Sequence, residues 1–474
     1  MTELGTLDTG IIFAYFVILL GIGFYASRKQ ETVEDYFLGG GKIGTLSIAC
    51  LWVASWVGGA AIVGGTATAY EFGISAGWYT MSMAIGCVLF GLFFAKQVKR
   101  AGLQEKMLTY PDFIESRYDS RTRIVATITT IVAFIAFAAG QLAAAAAILQ
   151  TLLGWDYPAA LALASGIIVL YTATGGLLAV TYTDWIQVLL LFVGIVFIGI
   201  PVAISKGGTW AAFTTTLPDV YFDPGGWGWP TILALAVSIP LSFFVGMDSF
   251  TRTFSAKSEE AARNGALIAA AFLVPMAVGA VWLGMTSAIL FPDAESSGIL
   301  STFILQEFPI GLKGLVLVGV LAALMSTADI CILTASANIT VDIYKRYMNP
   351  DVTPKKLFRM SIGASLTIGT LAAVMAWGMR DVIGILLVAF TVNSAGLFLP
   401  TVAMVYMATV NKAAAFWSIT LSLATVLTLY VGSIVSDREV FSMDPLWPGL
   451  AVSLVVFVGM TMIGRGPAPG DTPS

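Results

Sequence analysis

Ala54-Ser55-Trp56-Val57-Gly58-Gly59-Ala60-Ala61-Ile62-Val63-Gly64-Gly65 is an apolar stretch carrying four glycines in its last eight residues. It lies within a longer apolar run, 45–70, which has the length needed to cross a bilayer as a helix. Each glycine weakens a helix by about 1 kcal/mol relative to alanine, so the run is expected to be helical and broken near its middle. In hydrocarbon such a break must be satisfied by protein, water or an ion, and the carbonyls it frees are ligands for a hard cation. Close helix packing through small residues is the competing explanation.

Outward from this stretch, the chain reads as an all-α membrane protein. It has 474 residues, 58% hydrophobic and 11% charged, with a mean hydropathy of +0.88. Soluble domains carry roughly 25% charged residues. Thirteen apolar runs are long enough to span, near 9–27, 45–70, 76–96, 124–153, 157–180, 182–204, 231–250, 265–290, 312–343, 360–378, 381–407, 413–434 and 446–464. They form one transmembrane domain over 1–465, followed by a Pro/Gly-rich tail, 466–474, expected to be disordered and cytoplasmic. The first run has no basic residue before it and no small-residue cleavage site, so it is expected to be a retained helix.

Basic residues set the orientation. With the N-terminus outside, all of the 24 lysines and arginines except Lys206, Lys313, Arg380 and Arg438 fall on the cytoplasmic side. The net charge of −4 argues against nucleic acid as a partner. Histidine is absent, which removes histidine metal sites, bases and proton relays. Cys50, Cys87 and Cys331 lie in apolar runs without a CxxC pair and are expected to be buried thiols. No nucleophile motif or phosphate loop points to an enzyme, and no cofactor is implied.

The ninth run carries Ala323, Ser326, Thr327 and Ile330 on one helical face, with Asp329 at its edge. A carboxylate at mid-membrane costs about 3 kcal/mol on insertion scales, which makes it a functional candidate. Asp184, in Tyr182-Thr183-Asp184-Trp185-Ile186-Gln187, is either an N-cap or a site residue. Asp248, in Gly246-Met247-Asp248-Ser249-Phe250, either pairs with Arg252 or faces a solute. Pro240 and Gly246 suggest a second broken helix in the seventh run. Paired interruptions at corresponding places are a pointer to a transporter site.

Taken in order, Asp35-Tyr36-Phe37-Leu38-Gly39-Gly40, the Ala54–Gly65 stretch, Gly175-Gly176-Leu177, Thr183-Asp184-Trp185-Ile186-Gln187, Met325-Ser326-Thr327 and Asp342-Ile343-Tyr344-Lys345 resemble the sodium:solute symporter family across about 9–465. The resemblance implies two inverted five-helix repeats, here about 45–204 and 231–407, with one extra N-terminal and two extra C-terminal helices. It implies sodium on the carbonyls of Ala54, Val57 and Ala323 and the hydroxyls of Ser326 and Thr327. It implies a second cation site on Asp184, with Asp329 standing where a serine is expected, so that a proton is the alternative occupant. Details such as Phe93-Phe94-Ala95-Lys96 resemble the family's choline-transporter branch, in which aromatic rings hold an ammonium group. The expected solute set is Trp56, Gly58, Gly59, Phe137, Gln141 and Asp248, for an amino acid such as proline or a choline-like compound. The implied protein is a monomeric importer in the plasma membrane, with the solute, sodium and the bilayer as partners. A proton-coupled carrier using Asp184 and Asp329, or a channel or membrane sensor, are the rival classes.

Overall fold

A computed structural model describes residues 5–27, 42–58, 60–105, 107–379, 382–435 and 443–463, without the side chains of 60, 151, 171, 174–176, 178, 179, 383, 434 and 435. The Asp35–Gly40 match, Gly59 and the tail 466–474 lie outside the described residues. The chain is helical along almost all of its described length: α1 Thr6–Ser27, α2 Thr45–Trp56, α3 Gly65–Phe72, α4 Gly77–Phe93, α5 Ala95–Glu105, α6 Tyr110–Arg117, α7 Ser120–Leu153, α8 Tyr157–Phe192, α9 Ile200–Ser205, α10 Trp210–Thr216, α11 Trp229–Phe243, α12 Met247–Ser255, α13 Glu259–Leu290, α14 Ile299–Glu307, α15 Leu312–Ala337, α16 Pro354–Gly378, α17 Val382–Tyr406, α18 Lys412–Val435 and α19 Leu446–Ile463. Among the described residues, eleven helical stretches are long and apolar enough to cross a membrane, and Thr45–Trp56 and Tyr157–Leu170 are shorter apolar helices. Polar side chains start the helices that leave the bundle ends. Asp119 accepts from Thr122 N at 2.9 Å to cap α7, and Ser258 accepts from Ala261 N at 3.1 Å to cap α13.

Both expected breaks are present. α2 ends at Trp56, and a π-helical turn, Ala60–Gly64, leads into α3. α11 ends at Phe243, and α12 starts at Met247. The two broken helices meet at Arg252, whose Nε donates to the Leu51 carbonyl at 3.0 Å. α13 gives the direction of its neighbours. A Cβ on Gly265 would meet Ile48, and one on Gly284 would meet Thr66 and Ala69, so α2 and α3 run parallel to α13. Gly77 faces Val281 and Gly91 faces Leu267, so α4 runs back. The reversal is made at Gly73 (φ 62°), where a Cβ would stand 2.1 Å from the Tyr221 carbonyl oxygen, so that glycine is required there.

α15 is the axis, with 94% of its most apolar window buried. The segment Tyr157–Ser205 differs from its expected division near 180–182. Helical backbone runs on through Phe192, because no strong helix breaker follows Gly176. Its contacts run in one direction, antiparallel to α15. Thr172 meets Asp329, Leu190 backs Gly319, Gly194 faces Val316, and Lys206 pairs with Glu307 at 3.0 Å near the start of α15.

Three basic residues assigned from sequence to one membrane face are buried: Lys99, Arg123 and Arg252. Each is answered by oxygen, as a buried cation must be. Lys99 donates to the Phe254 carbonyl at 2.7 Å. Arg123 joins α6, α7 and the π-helical continuation Asn338–Met348, pairing with Asp112 at 2.8 Å, Asp342 at 2.5 Å and Glu115. Burial would raise the Glu115 carboxyl, but hydrogen bonds from Ser120 and Arg123 outweigh it and hold it below the ordinary carboxylate value.

At the opposite end, buried Asp8 of α1 accepts from Gly311 N and Gly314 N, both at 2.8 Å. It caps α15 from a different helix. Asp8→Ala should therefore lower stability by about 1 kcal/mol, read as a lower thermal midpoint in detergent. Asp8→Asn should retain most of it.

Candidate functional site

The first cluster forms where α2 breaks. In an unbroken helix Ala61 N–H would bond the Val57 carbonyl; here it bonds Gly58 O at 3.2 Å. Val57 has ψ 57°, outside the helical region. The Ala54 carbonyl accepts from Ser326 Oγ at 2.8 Å and from Thr327 Oγ1 at 2.9 Å. The same hydroxyls reach the Ala323 carbonyl at 2.9 and 3.1 Å. Ala54, Ala323, Ser326 and Thr327 thus converge, with buried Val57 one helical turn beyond Ala54. These are neutral oxygens, the donor set that suits a small hard cation.

A cavity of about 30 Å³ adjoins this cluster. Ser55, Trp56, Gly58, Phe137, Gln141, Asp248 and Thr327 are in its wall. Five of the six residues expected at the solute therefore meet in one place, and the sixth, Gly59, lies outside the described residues. Thr327 belongs to both cluster and cavity. A Cβ on Gly58 would lie 2.4 Å from Gln141 Oε1 and 2.7 Å from Thr327 Oγ1, so only glycine lets the α2 break approach α7 and α15 this closely.

Trp56, Tyr79, Phe134, Phe137 and Phe390 are the aromatic part of the wall. Trp56 stacks on Phe243 with ring centroids 3.8 Å apart and an interplanar angle of 19°, and Phe390 stands perpendicular to Phe137 at 4.9 Å. The indole Nε1 of Trp56 is buried with no partner among the described residues. Asp248 is the carboxylate in this wall, and Arg252 Nη1 donates to it at 2.5 Å.

The second expected cluster also assembles. Asp329 is fully buried; one carboxylate oxygen accepts from the Thr172 hydroxyl and the other has no partner. It points to α8, away from the Ser326 and Thr327 contacts with α2. Asp184 is buried, both its oxygens lack partners among the described residues, and it lies within electrostatic reach of Asp329 and Arg252. It sits inside α8 and caps nothing, because the helix begins at Tyr157. Gln187 Nε2 donates to the Tyr15 hydroxyl at 3.0 Å beside this pair.

Sequence reasoning gave no role to Tyr15, Thr172, Gln187, Phe243 or Phe390, and named Arg252 only as the alternative partner of Asp248. Gln187 carried a signal, standing three residues after Asp184 on the same face. Phe243 and Phe390 carried none, being apolar residues in apolar helices.

Residues 36–421 match the sodium:solute symporter family. The chain belongs to that family. It is 25% identical to the high-affinity proline transporter PutP of Bacillus subtilis (strain 168), over 96% of this chain and 98% of that one. It is 26% identical to a sodium/proline symporter of Staphylococcus aureus (strain JH9), over 96% and 93%. Among solved structures it is similar to a Na+-coupled sialic acid symporter in a substrate-bound outward-open state, with a TM-score of 0.81 and 21% identity over 98% and 99% of the two chains. It is also similar to MhsT in complex with L-phenylalanine, with a TM-score of 0.55 and 13% identity over 88% and 98%. At these identities the two structures share the fold. Sodium-coupled solute symport is the activity of this bundle.

Gly58→Ala should weaken sodium-dependent solute binding by about tenfold or more, the cost of overpacking a filled site. Equilibrium binding measures it. Gly166→Ala, where a Cβ would meet nothing within 4 Å, should bind as the unaltered protein does.

Proposed function

We propose that this symporter imports a small polar organic solute, an amino acid such as proline or a choline-like ammonium compound, with sodium moving inward down its gradient. The carrying observation is the convergence of the Ala54 and Ala323 carbonyls with the Ser326 and Thr327 hydroxyls at the helix break. Sodium would take the carbonyl lone pairs that the hydroxyl protons now occupy. Each hydroxyl would turn to present its own oxygen, and Val57 would supply the fifth ligand. The relatives named for proline and sodium favour an amino acid as the solute. In the cavity, Trp56 Nε1 is a donor for a solute oxygen, and Asp248 is an acceptor for an ammonium group.

The proposed frame is thirteen crossings in two inverted repeats, about 45–204 and 231–407, flanked by one span before and two after. The breaks in α2–α3 and α11–α12 support it. The basic-residue count supports an N-terminus outside and a C-terminus in the cytoplasm, in a plasma membrane. One chain holds both clusters, which supports a monomer as the working unit.

A second reading concerns the coupling ion at Asp184 and Asp329. Buried carboxylate oxygens without partners are costly unless a cation or a proton neutralises them. Two acids close together favour shared occupancy, by a second sodium or by a proton.

Ser326→Ala and Thr327→Ala should each raise the sodium concentration for half-maximal uptake about tenfold, since each removes an oxygen worth more than about 1.4 kcal/mol to a charge. Sodium titration of labelled-solute uptake into proteoliposomes is the check; an unmoved midpoint in both removes this ligand set. Asp329→Asn should change the number of charges carried per solute with uptake retained. Charge-to-flux ratios identical to the unaltered protein would make the carboxylate structural.

A further inference from the structure

The solute cavity has one carboxylate in its wall, Asp248, and that charge is answered from behind. Arg252 follows one helical turn later, is 1% exposed, and is outside the wall. Three contacts fix it: Nη1 to Asp248 Oδ2 at 2.5 Å, Nε to the Leu51 carbonyl at 3.0 Å, and the guanidinium carbon 5.1 Å from the Trp52 ring centroid. A guanidinium does not lose its proton in a protein, and a buried one has no screening water. Its positive charge at the cavity floor is therefore permanent.

We propose that Arg252 sets the charge selectivity of the cavity: by cancelling Asp248, it makes the site favour solutes of zero net charge over cations of the same shape. This deepens the transport reading above and rests on it. Alone, Asp248 in an aromatic wall would require a cation. Backed by Arg252 it is one end of a fixed dipole, which orients the positive end of a zwitterion without attracting net charge. The wall agrees with this. One face of Trp56 is covered by Phe243 at 3.8 Å, so that face is closed to an ammonium group. The other buried acids near Arg252, Asp184 and Asp329, are not in the cavity wall. Arg252 is a positioning and specificity residue acting through Asp248.

The test uses purified full-length protein in sodium at pH 7 and two matched pairs: L-proline against L-prolinamide, and glycine betaine against choline. Each pair contrasts a zwitterion with a cation of similar shape. Equilibrium binding is measured for the unaltered protein, Arg252→Gln, Asp248→Asn and the double variant. The unaltered protein should prefer the zwitterion of the pair it binds. Asp248→Asn should raise the zwitterion-to-cation affinity ratio about tenfold, Arg252→Gln should lower it about tenfold, and the double variant should return it to within about threefold of the start. If Arg252→Gln does not fold, Asp248→Asn against the double variant isolates the same charge, and the ratio should fall about tenfold when the arginine goes. A cation preferred by the unaltered protein, or ratios that ignore the charge of the pair, overturns the inference alone. No sodium-dependent binding of any of the four compounds overturns it together with the solute classes proposed above.

Discussion

Two hydroxyls on one helix hold the carbonyl of a residue on another, 272 and 273 positions earlier in the chain, and the interior is arranged around that contact. A helix that breaks inside hydrocarbon exposes carbonyls that no water can satisfy. Ser326 and Thr327 supply the donors for Ala54, and Arg252 supplies one for Leu51 in the turn before. These three side chains pin the end of α2 against α15 and α12. Gly58 then has Gln141 and Thr327 within contact distance of where a side chain would begin, which leaves no room for one. The contact is also exchangeable, since a hydroxyl that now donates to a carbonyl can present its lone pairs to a cation instead.

Buried charge in this bundle falls into two kinds. Asp112, Glu115 and Asp342 all meet Arg123, and Asp8 accepts two backbone N–H groups at the start of α15. Such groups have their partners in the fold and hold helices together. Asp184, and one oxygen of Asp329, have none among the described residues. An unanswered buried carboxylate is a large energetic liability, and a cation or proton is the partner proposed for it. Asp184 stands apart in that neither of its oxygens is answered among the described residues.

Much of this was legible because membrane helices write strong signals. Apolar runs marked an all-helical membrane bundle, and glycines at 58, 59, 64 and 65, with Pro240 and Gly246, marked both breaks. Adjacent hydroxyls and a carboxylate in the ninth run marked α15. The division of Tyr157–Ser205 was less legible, because Leu177-Leu178-Ala179-Val180 favours helix wherever the chain turns. Arg252 was half legible: near the end of a span a basic residue reads as a loop charge, its pairing with Asp248 was one of the two readings, and its burial over Trp52 is shown by the fold. The aromatic wall was legible only in Trp56 and Phe137. Phe243 and Phe390 differ from other buried phenylalanines only in what they face, which depends on contacts between distant helices.

The two clusters are not independent. Thr327 contributes its hydroxyl to the Ala54 and Ala323 carbonyls and also stands in the cavity wall beside Gly58. A cation that turned this hydroxyl would change the surface offered to a solute. A solute pressing on Gly58 would move the backbone that carries Val57. Each occupant then alters the binding free energy of the other by the same amount, as linkage requires. Arg252 extends the chain of contact, tying the cavity through Asp248 to the last turn of α2 before its break and lying within electrostatic reach of Asp184. Coupling in this architecture would need no long relay, because the break in α2 places the proposed ion ligands and the proposed solute ligands on consecutive residues of one turn.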